Sequence, residues 1–382
     1  MKVDLAFEDL SRATSQCLRC LACTYGEWPE NYPICPIYQY HRVFTASPGG
    51  IIYLLKALLE KRIDYTETIS EFAYQCTLCE KCDICEILPI APPNVTPTDL
   101  IRFLRYQLVK RGMIPEELSE LYEEIKKDSD RLRNKGEMSL PQIERDNTID
   151  TVLFVENSDH ITAQETYQSA IRLLEKIGEP VALFSGETSL YELYDLGFWD
   201  ELNVAIKRKE KETGKLEGKK VIFLDPHCQE FMVKRYPEIA SQSPTIEAMH
   251  MSEVLLEAVK AGKLKERKEK IKVAYHDPCH LSRGLGIHDV PRELLNSLGV
   301  ELVEMRRSGS DTYCCGAGCK NISFPKFSNW VTGERIKEFK ETEAELLITS
   351  CPHCKSQFRK FLPNDEKDLV LDLVEFVEQR TR

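Results

Sequence analysis

Fifteen cysteines in 382 residues supply more thiol groups than a folded core needs, and most of them fall into regular groups. Thiolates delivered from several loops can hold a polymetallic site. In the densest group, thirty-four residues separate the first cysteine from an adjacent pair, and thirty-five residues separate that pair from a Cys-Pro-His-Cys sequence. Its members are Cys279, Cys314, Cys315, Cys351 and Cys354.

Two further groups lie near the amino terminus. One consists of Cys17, Cys20 and Cys23, followed after eleven intervening residues by Cys35, and the other of Cys76, Cys79, Cys82 and Cys85. Cysteines at this spacing hold one corner of a cubane, and in two-cluster ferredoxins the fourth ligand comes from the other group. The crossed assignment predicts one [4Fe-4S] cluster on Cys17, Cys20, Cys23 and Cys85, and a second on Cys76, Cys79, Cys82 and Cys35.

Zinc is the alternative for these two groups, since structural zinc sites also use four cysteines. Runs of three and four cysteines at two-residue spacing are atypical of zinc, so the sequence favours clusters. Cys85 departs from the ferredoxin pattern, because only two residues separate it from Cys82 and Glu86 stands where proline is common.

Helices are predicted around both groups. Gly50–Arg62 is rich in good helix formers, and Thr98 is predicted to cap a helix that runs toward Gly112. These stretches predict an α-helical two-cluster ferredoxin domain over residues 1–112. A lysine- and glutamate-rich segment over 113–150 is expected to be a surface helix and linker.

Short apolar strands alternate with helices in the rest of the chain. Such alternation predicts parallel sheets in two α/β units, over residues 151–250 and 251–382. The predicted strands lie at 151–155, 181–184, 221–224, 272–275, 300–305 and 346–349. The predicted fold class is therefore α+α/β.

The two α/β units are copies of each other. Aligning Thr151-Val-Leu-Phe with Lys272-Val-Ala-Tyr places Ser158 at the position of Cys279, and Thr188 and Ser189 at those of Cys314 and Cys315. Asp225-Pro-His-Cys228 then matches Cys351-Pro-His-Cys354. The first unit is predicted to be a degenerate copy that has lost four of the five cysteines.

Composition excludes several classes of protein. A net charge of -11 argues against a nucleic-acid-binding protein, which needs a concentrated basic surface. No apolar run is long enough to span a bilayer, and no secretory signal is visible, so a cytoplasmic location is expected. In that reducing compartment metal explains so many cysteines better than disulfides do.

Several motifs resemble the cysteine-rich CCG-domain family. They are Tyr275-His-Asp-Pro-Cys-His-Leu-Ser-Arg283, Pro291-Arg292, Val303-Glu-Met305, Cys314-Cys-Gly-Ala-Gly318 and Cys351-Pro-His-Cys354. The family includes the catalytic D-type subunit of heterodisulfide reductase and the iron-sulfur subunit of sulfite-reductase-associated membrane complexes. It also includes iron-sulfur subunits of anaerobic glycerol-3-phosphate dehydrogenase and of glycolate and lactate oxidases. With the amino-terminal motifs, the likeness covers nearly the whole chain and implies two tandem Rossmann-like CCG units.

The resemblance implies that Cys279, Cys314, Cys315, Cys351 and Cys354 are the ligands and catalytic centre of a noncubane [4Fe-4S] cluster. It implies a heterodisulfide reductase-like iron-sulfur oxidoreductase, in which two cubanes relay electrons to a cluster that reduces or forms a disulfide. The substrate would be the disulfide or thiol of a small molecule or small protein. One complete motif resembles the sulfite-reductase-associated subunit more than the methanogenic one, while Cys319 departs from the usual glycines.

Three polar residues flank the first of these cysteines: His276, His280 and Arg283. They are candidates to donate protons or to bind an anionic substrate. The alternative for each is a hydrogen bond to a loop carbonyl or a cluster sulfur. His353 is expected to have a structural turn role, because His227 repeats it in the cysteine-poor copy.

Two competing functions remain open. The chain could be an electron-transfer subunit between a flavoprotein dehydrogenase and a membrane quinone or cytochrome, without disulfide chemistry, or a zinc-dependent scaffold. The expected partner is a cytochrome b-type membrane subunit or a flavoprotein, which would hold the chain peripherally on the membrane. No bound flavin or nicotinamide is expected, because Gly284 and Gly286 form no Gly-x-Gly-x-x-Gly after a strand.

Overall fold

The computed structural model describes residues 7–26, 32–85, 95–127, 149–156, 161–186, 190–265, 270–318 and 324–381. The chain divides into two compact units. The first, here called the helical unit, comprises Met1–Ser129, Tyr191–Val204 and Gly316–Val331. The second, here called the α/β unit, comprises Asp130–Leu190, Ala205–Cys315 and Thr332–Arg382.

The amino-terminal part of the helical unit carries both cysteine groups between short helices. These are α1 (Phe7–Gln16), α2 (Pro36–His41), α3 (Pro48–Leu59), α4 (Glu67–Gln75), α5 (Pro97–Val109) and α6 (Glu116–Lys127). The helix predicted over 50–62 is α3, which begins earlier because Ser47 caps it by accepting from Gly50 N at 3.0 Å. Of the predicted linker, residues 128–148 lie outside the described residues.

The start of α5 corrects the predicted cap. Thr96, rather than Thr98, is the N-cap: its hydroxyl accepts from Asp99 N at 3.3 Å, while the Asp99 carboxylate accepts from Thr96 N at 3.2 Å. Pro97 at the first helical position moves the start forward, since its fixed φ suits that position and its missing N–H needs no partner there. Thr98 instead donates to the Asp83 carboxylate.

Two buried arginines on α5 hold the second cysteine group in place. Arg102 pairs with Asp195 at 2.7 Å and with Asp99 at 3.3 Å. Arg105, fully buried, donates to the backbone carbonyls of Ala73, at 2.9 Å, and Cys76, at 2.5 Å. A buried guanidinium is tolerated where its donors are satisfied, so these bonds fix the loop that begins at Cys76.

The α/β unit contains two four-stranded parallel sheets within the described residues, with orders β2-β1-β3-β4 and β6-β5-β7-β8. The strands are β1 (Thr151–Glu156), β2 (Ala182–Gly186), β3 (Lys220–Phe223), β4 (Glu247–His250), β5 (Lys272–His276), β6 (Glu301–Val303), β7 (Leu346–Thr349) and β8 (Val370–Asp372). The remaining helices are α7 (Ile161–Lys176), α8 (Leu190–Leu196), α9 (Trp199–Thr213), α10 (Pro226–Glu230), α11 (Tyr236–Ile239), α12 (Met251–Lys260), α13 (Asp289–Ser297), α14 (Pro325–Glu341), α15 (Pro352–Phe361) and α16 (Leu373–Arg380).

The same strand order in both sheets agrees with the internal repeat, and the α+α/β fold class is confirmed. Most of α8, the start of α9 and the start of α14 belong to the helical unit. The sequence did not predict β4 and β8, the fourth strand of each sheet. The limits at residues 112, 150 and 250 stay predictions.

One core joins the two sheets of the α/β unit. Leu174 on α7, Leu255 on α12, Leu294 on α13 and Phe376 on α16 are fully buried in it. The helices pair across the repeat: Thr166 of α7 donates to Glu375 of α16 at 2.6 Å, and Lys260 of α12 pairs with Glu293 of α13 at 2.7 Å. The degenerate copy is therefore half of the scaffold that holds the intact one.

None of the helices that the structure describes is both long enough and apolar enough to cross a bilayer.

A buried histidine makes the stability of this scaffold depend on pH. His250 caps α12, accepting from Ser252 N at 3.2 Å, and it is 2% exposed. Burial lowers the pKa of His250 from 6.5 to about 4. The folded chain therefore binds fewer protons than the unfolded chain between these values, so its stability is full above pH 6.5 and falls as the pH drops toward 4.

We expect the protein to lose roughly 2 kcal/mol of stability between pH 7 and pH 5 through His250 alone. His250→Asn keeps a capping side chain but removes the titrating ring, so its stability should fall less over this range. Thermal unfolding of both proteins, prepared anaerobically, checks this. Between pH 7 and pH 5 the melting temperature of the wild type should drop about 4 °C further than that of His250→Asn. Equal drops in the two proteins would show that His250 is not the titrating group.

Candidate metal centres

The five cysteines of the intact copy converge at the carboxyl edge of the second sheet. β5 lies between β6 and β7, so the connection that leaves β5 and the connection that leads to β7 run to opposite sides of β5. His276 pairs with Thr349 at the carboxyl ends of these strands. Open α/β sheets bind ligands in the crevice at this switch point. Cys279 follows the end of β5, and Cys351 follows the end of β7.

The adjacent pair of cysteines reaches this edge on the loop after β6. Asp277 holds the loop, since its carboxylate accepts from Gly309 N at 2.8 Å and its carbonyl accepts from the Thr312 hydroxyl at 2.9 Å. Arg292 holds Asp277 in turn through two bonds of 2.6 and 2.9 Å. Cys314 and Cys315 follow directly, and they are 1% and 4% exposed.

Three of the five sulfur atoms lie close together. The Cys354 thiol hydrogen-bonds with both Cys315 and Cys351. Cys315 and Cys354 also lie within 4.8 Å of a ring nitrogen of His276. All five of these cysteines are buried and none forms a disulfide. A buried set of soft thiol donors fits an iron-sulfur group, which takes thiolate ligands.

Cys351 has the environment of a thiolate. Burial alone would raise its pKa, but hydrogen bonds with Cys354 and His227 lower the pKa of Cys351 to about 5. Burial would also lower the pKa of His227, yet its contacts with Asp225 and Cys351 raise it to about 10. The thiolate is the form of cysteine that binds metal, and a neighbouring imidazolium favours that form.

The degenerate copy supplies residues to this site that sequence reasoning missed. Asp225 follows β3 and caps α10 by accepting from His227 N at 3.1 Å. Its other carboxylate oxygen lies 3.4 Å from Nε2 of His353, and Asp225, His227 and Cys351 have ligand atoms within 4.8 Å of one another. The signal was in the repeat, because Asp225 and His227 stand where the intact copy has Cys351 and His353.

Other residues of the degenerate copy are only partly visible. Cys228 is buried at 8% exposure. Ser158, Thr188, Ser189 and the isolated Cys319 lie outside the described residues.

The residues that flank Cys279 have different environments. Arg283 donates to the carbonyls of Ser310, at 3.0 Å, and Thr312, at 2.7 Å, which is the loop-holding alternative that the sequence left open. His280 Nδ1 lies 2.7 Å from a Glu230 carboxylate oxygen, and its ring packs 3.5 Å from that of His227. Burial, with Arg335 nearby, keeps the pKa of His276 well below its usual range.

The first amino-terminal set surrounds a cavity. Cys17, Cys20, Cys23 and Cys85 all line a space of about 270 Å³. Cys20 is exposed and the other three are half-buried. These four cysteines are the first crossed set that the spacing predicts.

The second set is buried. Cys35, Cys76, Cys79 and Cys82 are each 6–9% exposed. Burial raises the pKa of Cys35, and the nearby Cys79 and Cys76 raise it further. Burial likewise raises the pKa of Cys82, and the nearby Asp83, Cys23, Cys76 and Cys79 raise it further. The structure thus brings Cys35 to the second group and Cys85 to the first.

The two cysteine loops share an unusual backbone. Arg19 and Leu21 have φ values of 58° and 64°, and the matching Leu78 and Glu80 have values of 48° and 62°. Residues other than glycine adopt this left-handed conformation rarely and persist there when their surroundings require it. Successive turns of this kind form concave surfaces of backbone N–H groups, which occur around iron-sulfur groups. The two cysteine loops therefore share a backbone conformation that is compatible with an anionic group.

Known proteins are similar to this chain in sequence. Residues 273–359 match the model of the family described as CCG, cysteine-rich domain. The matched segment contains all five cysteines of the intact copy. It is 27% identical to the D-type subunit of the dihydromethanophenazine:CoB–CoM heterodisulfide reductase of Methanosarcina mazei, over 95% of this chain and 93% of the relative. It is 29% identical to the EtfAB:quinone oxidoreductase of Syntrophomonas wolfei, over 41% of this chain and 23% of the relative.

A solved structure also shares the fold. A hypothetical protein from Helicobacter pylori aligns with a TM-score of 0.55 and 12% identity, covering 87% of this chain and 67% of that one. The family match and the relative that spans 95% of this chain support an iron-sulfur electron-transfer subunit of the oxidoreductase class.

The crossed placement of Cys35 and Cys85 gives a direct prediction. Cys85→Ser and Cys17→Ser should alter the same cluster, and Cys35→Ser and Cys82→Ser the other, because each pair belongs to one spatial set. Electron paramagnetic resonance of the reduced variants checks this through the signals that remain. Cys228→Ser is the control and should leave both signals intact. A Cys85→Ser spectrum that matches Cys82→Ser would contradict the crossed sets.

Proposed function

We propose that this chain is the catalytic iron-sulfur subunit of a disulfide oxidoreductase resembling heterodisulfide reductase. Two cubane clusters, on the two crossed sets, relay electrons to a noncubane [4Fe-4S] cluster on Cys279, Cys314, Cys315, Cys351 and Cys354. The observation that carries the proposal is the convergence of these five buried thiols at the switch point of one sheet.

Reduction of a disulfide consumes two electrons and two protons and yields two thiols. A cluster bound at the five cysteines would supply iron that accepts the substrate sulfur and electrons that arrive one at a time. The residues of the chain provide the surroundings. Their burial excludes water, and His227 with Asp225 places a protonated ring against Cys351.

The exposure of the two crossed sets suggests the order of electron flow. Beside the first set, Leu18 and Ile84 are 69% and 49% exposed, and both line its cavity. The second set has no exposed cysteine. We therefore place the exchange of electrons with a partner at the first set.

A contact inside the helical unit supports a role for the second set as the inner relay. Thr77, between Cys76 and Cys79, packs against Gly318, where an added Cβ would lie 2.4 Å from the Thr77 carbonyl oxygen. Gly318 follows Cys315 by three residues, roughly 10 Å of extended chain. The covalent chain thus links the second set to the noncubane ligands, which supports its place as the inner relay.

The names of the relatives suggest the substrate and the partners. The Methanosarcina relative is named for a heterodisulfide of two small thiols, so a disulfide or thiol of a small molecule or small protein is the proposed substrate. The partner is a cytochrome b-type membrane protein or a flavoprotein, which would hold the chain at the cytoplasmic side of a membrane.

A second function is supported by one comparison. The likeness to an EtfAB:quinone oxidoreductase favours an electron-transfer subunit between a flavoprotein and a membrane quinone, without disulfide chemistry. In that case no substrate sulfur would meet the noncubane centre.

The oxidised protein distinguishes the two functions. Electron paramagnetic resonance with coenzyme M, with coenzyme B and with a protein dithiol should reveal a paramagnetic signal that depends on one of these thiols. Cys315→Ser should abolish that signal, because it removes a buried ligand, whereas the matched control Cys228→Ser should keep it. Spectra that no thiol changes would favour the electron-transfer function.

A further inference from the structure

His276 is a buried ring at the end of β5 with one nitrogen occupied. It is 1% exposed, and its Nδ1 lies 3.0 Å from Nε of Arg335. Its Nε2 has no hydrogen-bond partner among the residues that the structure describes. A ring nitrogen of His276 also lies within 4.8 Å of the sulfurs of Cys315 and Cys354.

The contact with Arg335 determines which nitrogen of His276 carries the proton. A guanidinium group only donates hydrogen bonds, so Nδ1 must be the acceptor. A neutral imidazole that accepts at one nitrogen carries its proton on the other, which is Nε2 here. Leaving such a donor buried without a partner is unfavourable, so its position indicates that a ligand accepts from it.

Arg335 is itself held rigidly. It is fully buried on α14, where it donates to the Arg307 carbonyl at 2.7 Å and pairs with the Glu338 carboxylate. Arg307 also pairs with Glu338 and lies 3.6 Å over the Tyr313 ring. These bonds, all within the α/β unit, hold Arg335 in a fixed position beside His276. Nη2 of Arg335 also lacks a partner among the described residues.

We propose that Arg335 fixes His276 as the Nε2–H tautomer, and that this N–H donates a hydrogen bond to sulfur at the metal centre on Cys315 and Cys354. The inference rests on the proposed five-cysteine centre and adds Arg335 as a positioning residue. Hydrogen bonds to sulfur tune the potentials of iron-sulfur groups, and a donor stabilises the more negative, reduced state. The bond therefore raises the reduction potential of this centre.

The same geometry assigns His276 a role different from proton transfer. Loss of the proton from Nε2 would leave an anionic imidazolate in a buried site beside thiolates, which desolvation strongly disfavours. His276 therefore keeps its proton and acts as a fixed dipole. The sequence alone suggested proton donation or a structural bond for this histidine, and it gave no indication of Arg335.

Three variants with matched controls test the inference. His276→Phe removes the donor and keeps the ring shape, while Arg335→Met removes the group that fixes the tautomer. Arg335→Lys retains a cationic donor and serves as the conservative rescue. Glu338→Gln, the control, changes the network behind Arg335 without touching the bond to His276. The Arg335→Met, Glu338→Gln double variant guards against misfolding caused by an unpaired buried carboxylate.

Two measurements on the anaerobic protein provide the readout. Electron-nuclear double resonance should detect an exchangeable proton coupled to the reduced centre in the wild type, in Arg335→Lys and in Glu338→Gln. That coupling should be lost in His276→Phe and weakened in Arg335→Met and in the double variant. The midpoint potential from a redox titration should shift downward in the same three variants, a change that a merely structural role would not produce.

Wild-type coupling and potential in both His276→Phe and Arg335→Met would overturn the inference while leaving the proposed function intact. Absence of any metal centre at the five cysteines in the wild type would overturn both.

Discussion

The pairing of Arg292 with Asp277 determines the geometry of the intact site. Asp277 is 1% exposed and lies two residues before Cys279. Through its carboxylate and carbonyl it binds the loop that leads to Cys314 and Cys315, and Arg292 satisfies its charge with two hydrogen bonds. Removing Arg292 would leave the buried Asp277 carboxylate without its ion-pair partner, so the pairing keeps the two loops in one relative position. The sheet then delivers Cys351 and Cys354 to the same edge.

Duplication explains why only one half of the α/β unit holds a complete thiol set. Both sheets have the same strand order, and their helices pair across a common core. The degenerate half keeps this structural duty, and its Asp225 and His227 face Cys351. The degenerate copy thus lacks a complete ligand set of its own and instead places two polar side chains, Asp225 and His227, beside Cys351 of the intact copy.

Sequence patterns predicted the elements with strong local signals and missed those that depend on distant contacts. Alternating apolar runs predicted the inner strands of each sheet. The cysteine spacing predicts two crossed ligand sets, and these stay a prediction. β4 was missed because Glu247–His250 is short and mixes charged with apolar residues, although His250 and Glu253 form a capping box at its end. The cap predicted at Thr98 lies at Thr96 instead, because Pro97 occupies the first helical position. The contact of Arg335 with His276 joins residues fifty-nine positions apart, and no local pattern encodes it.

The central claim is that one chain holds two crossed cubane sets and a single noncubane set, all three positioned by the fold. Iron anomalous diffraction from crystals grown anaerobically tests it most directly. The account predicts three separate groups of about four irons. One lies at Cys17, Cys20, Cys23 and Cys85, one at Cys35, Cys76, Cys79 and Cys82, and one at the five cysteines from Cys279 to Cys354. Iron bound at Asp225 and Cys228 in the degenerate copy, or no iron at the five cysteines, would contradict it.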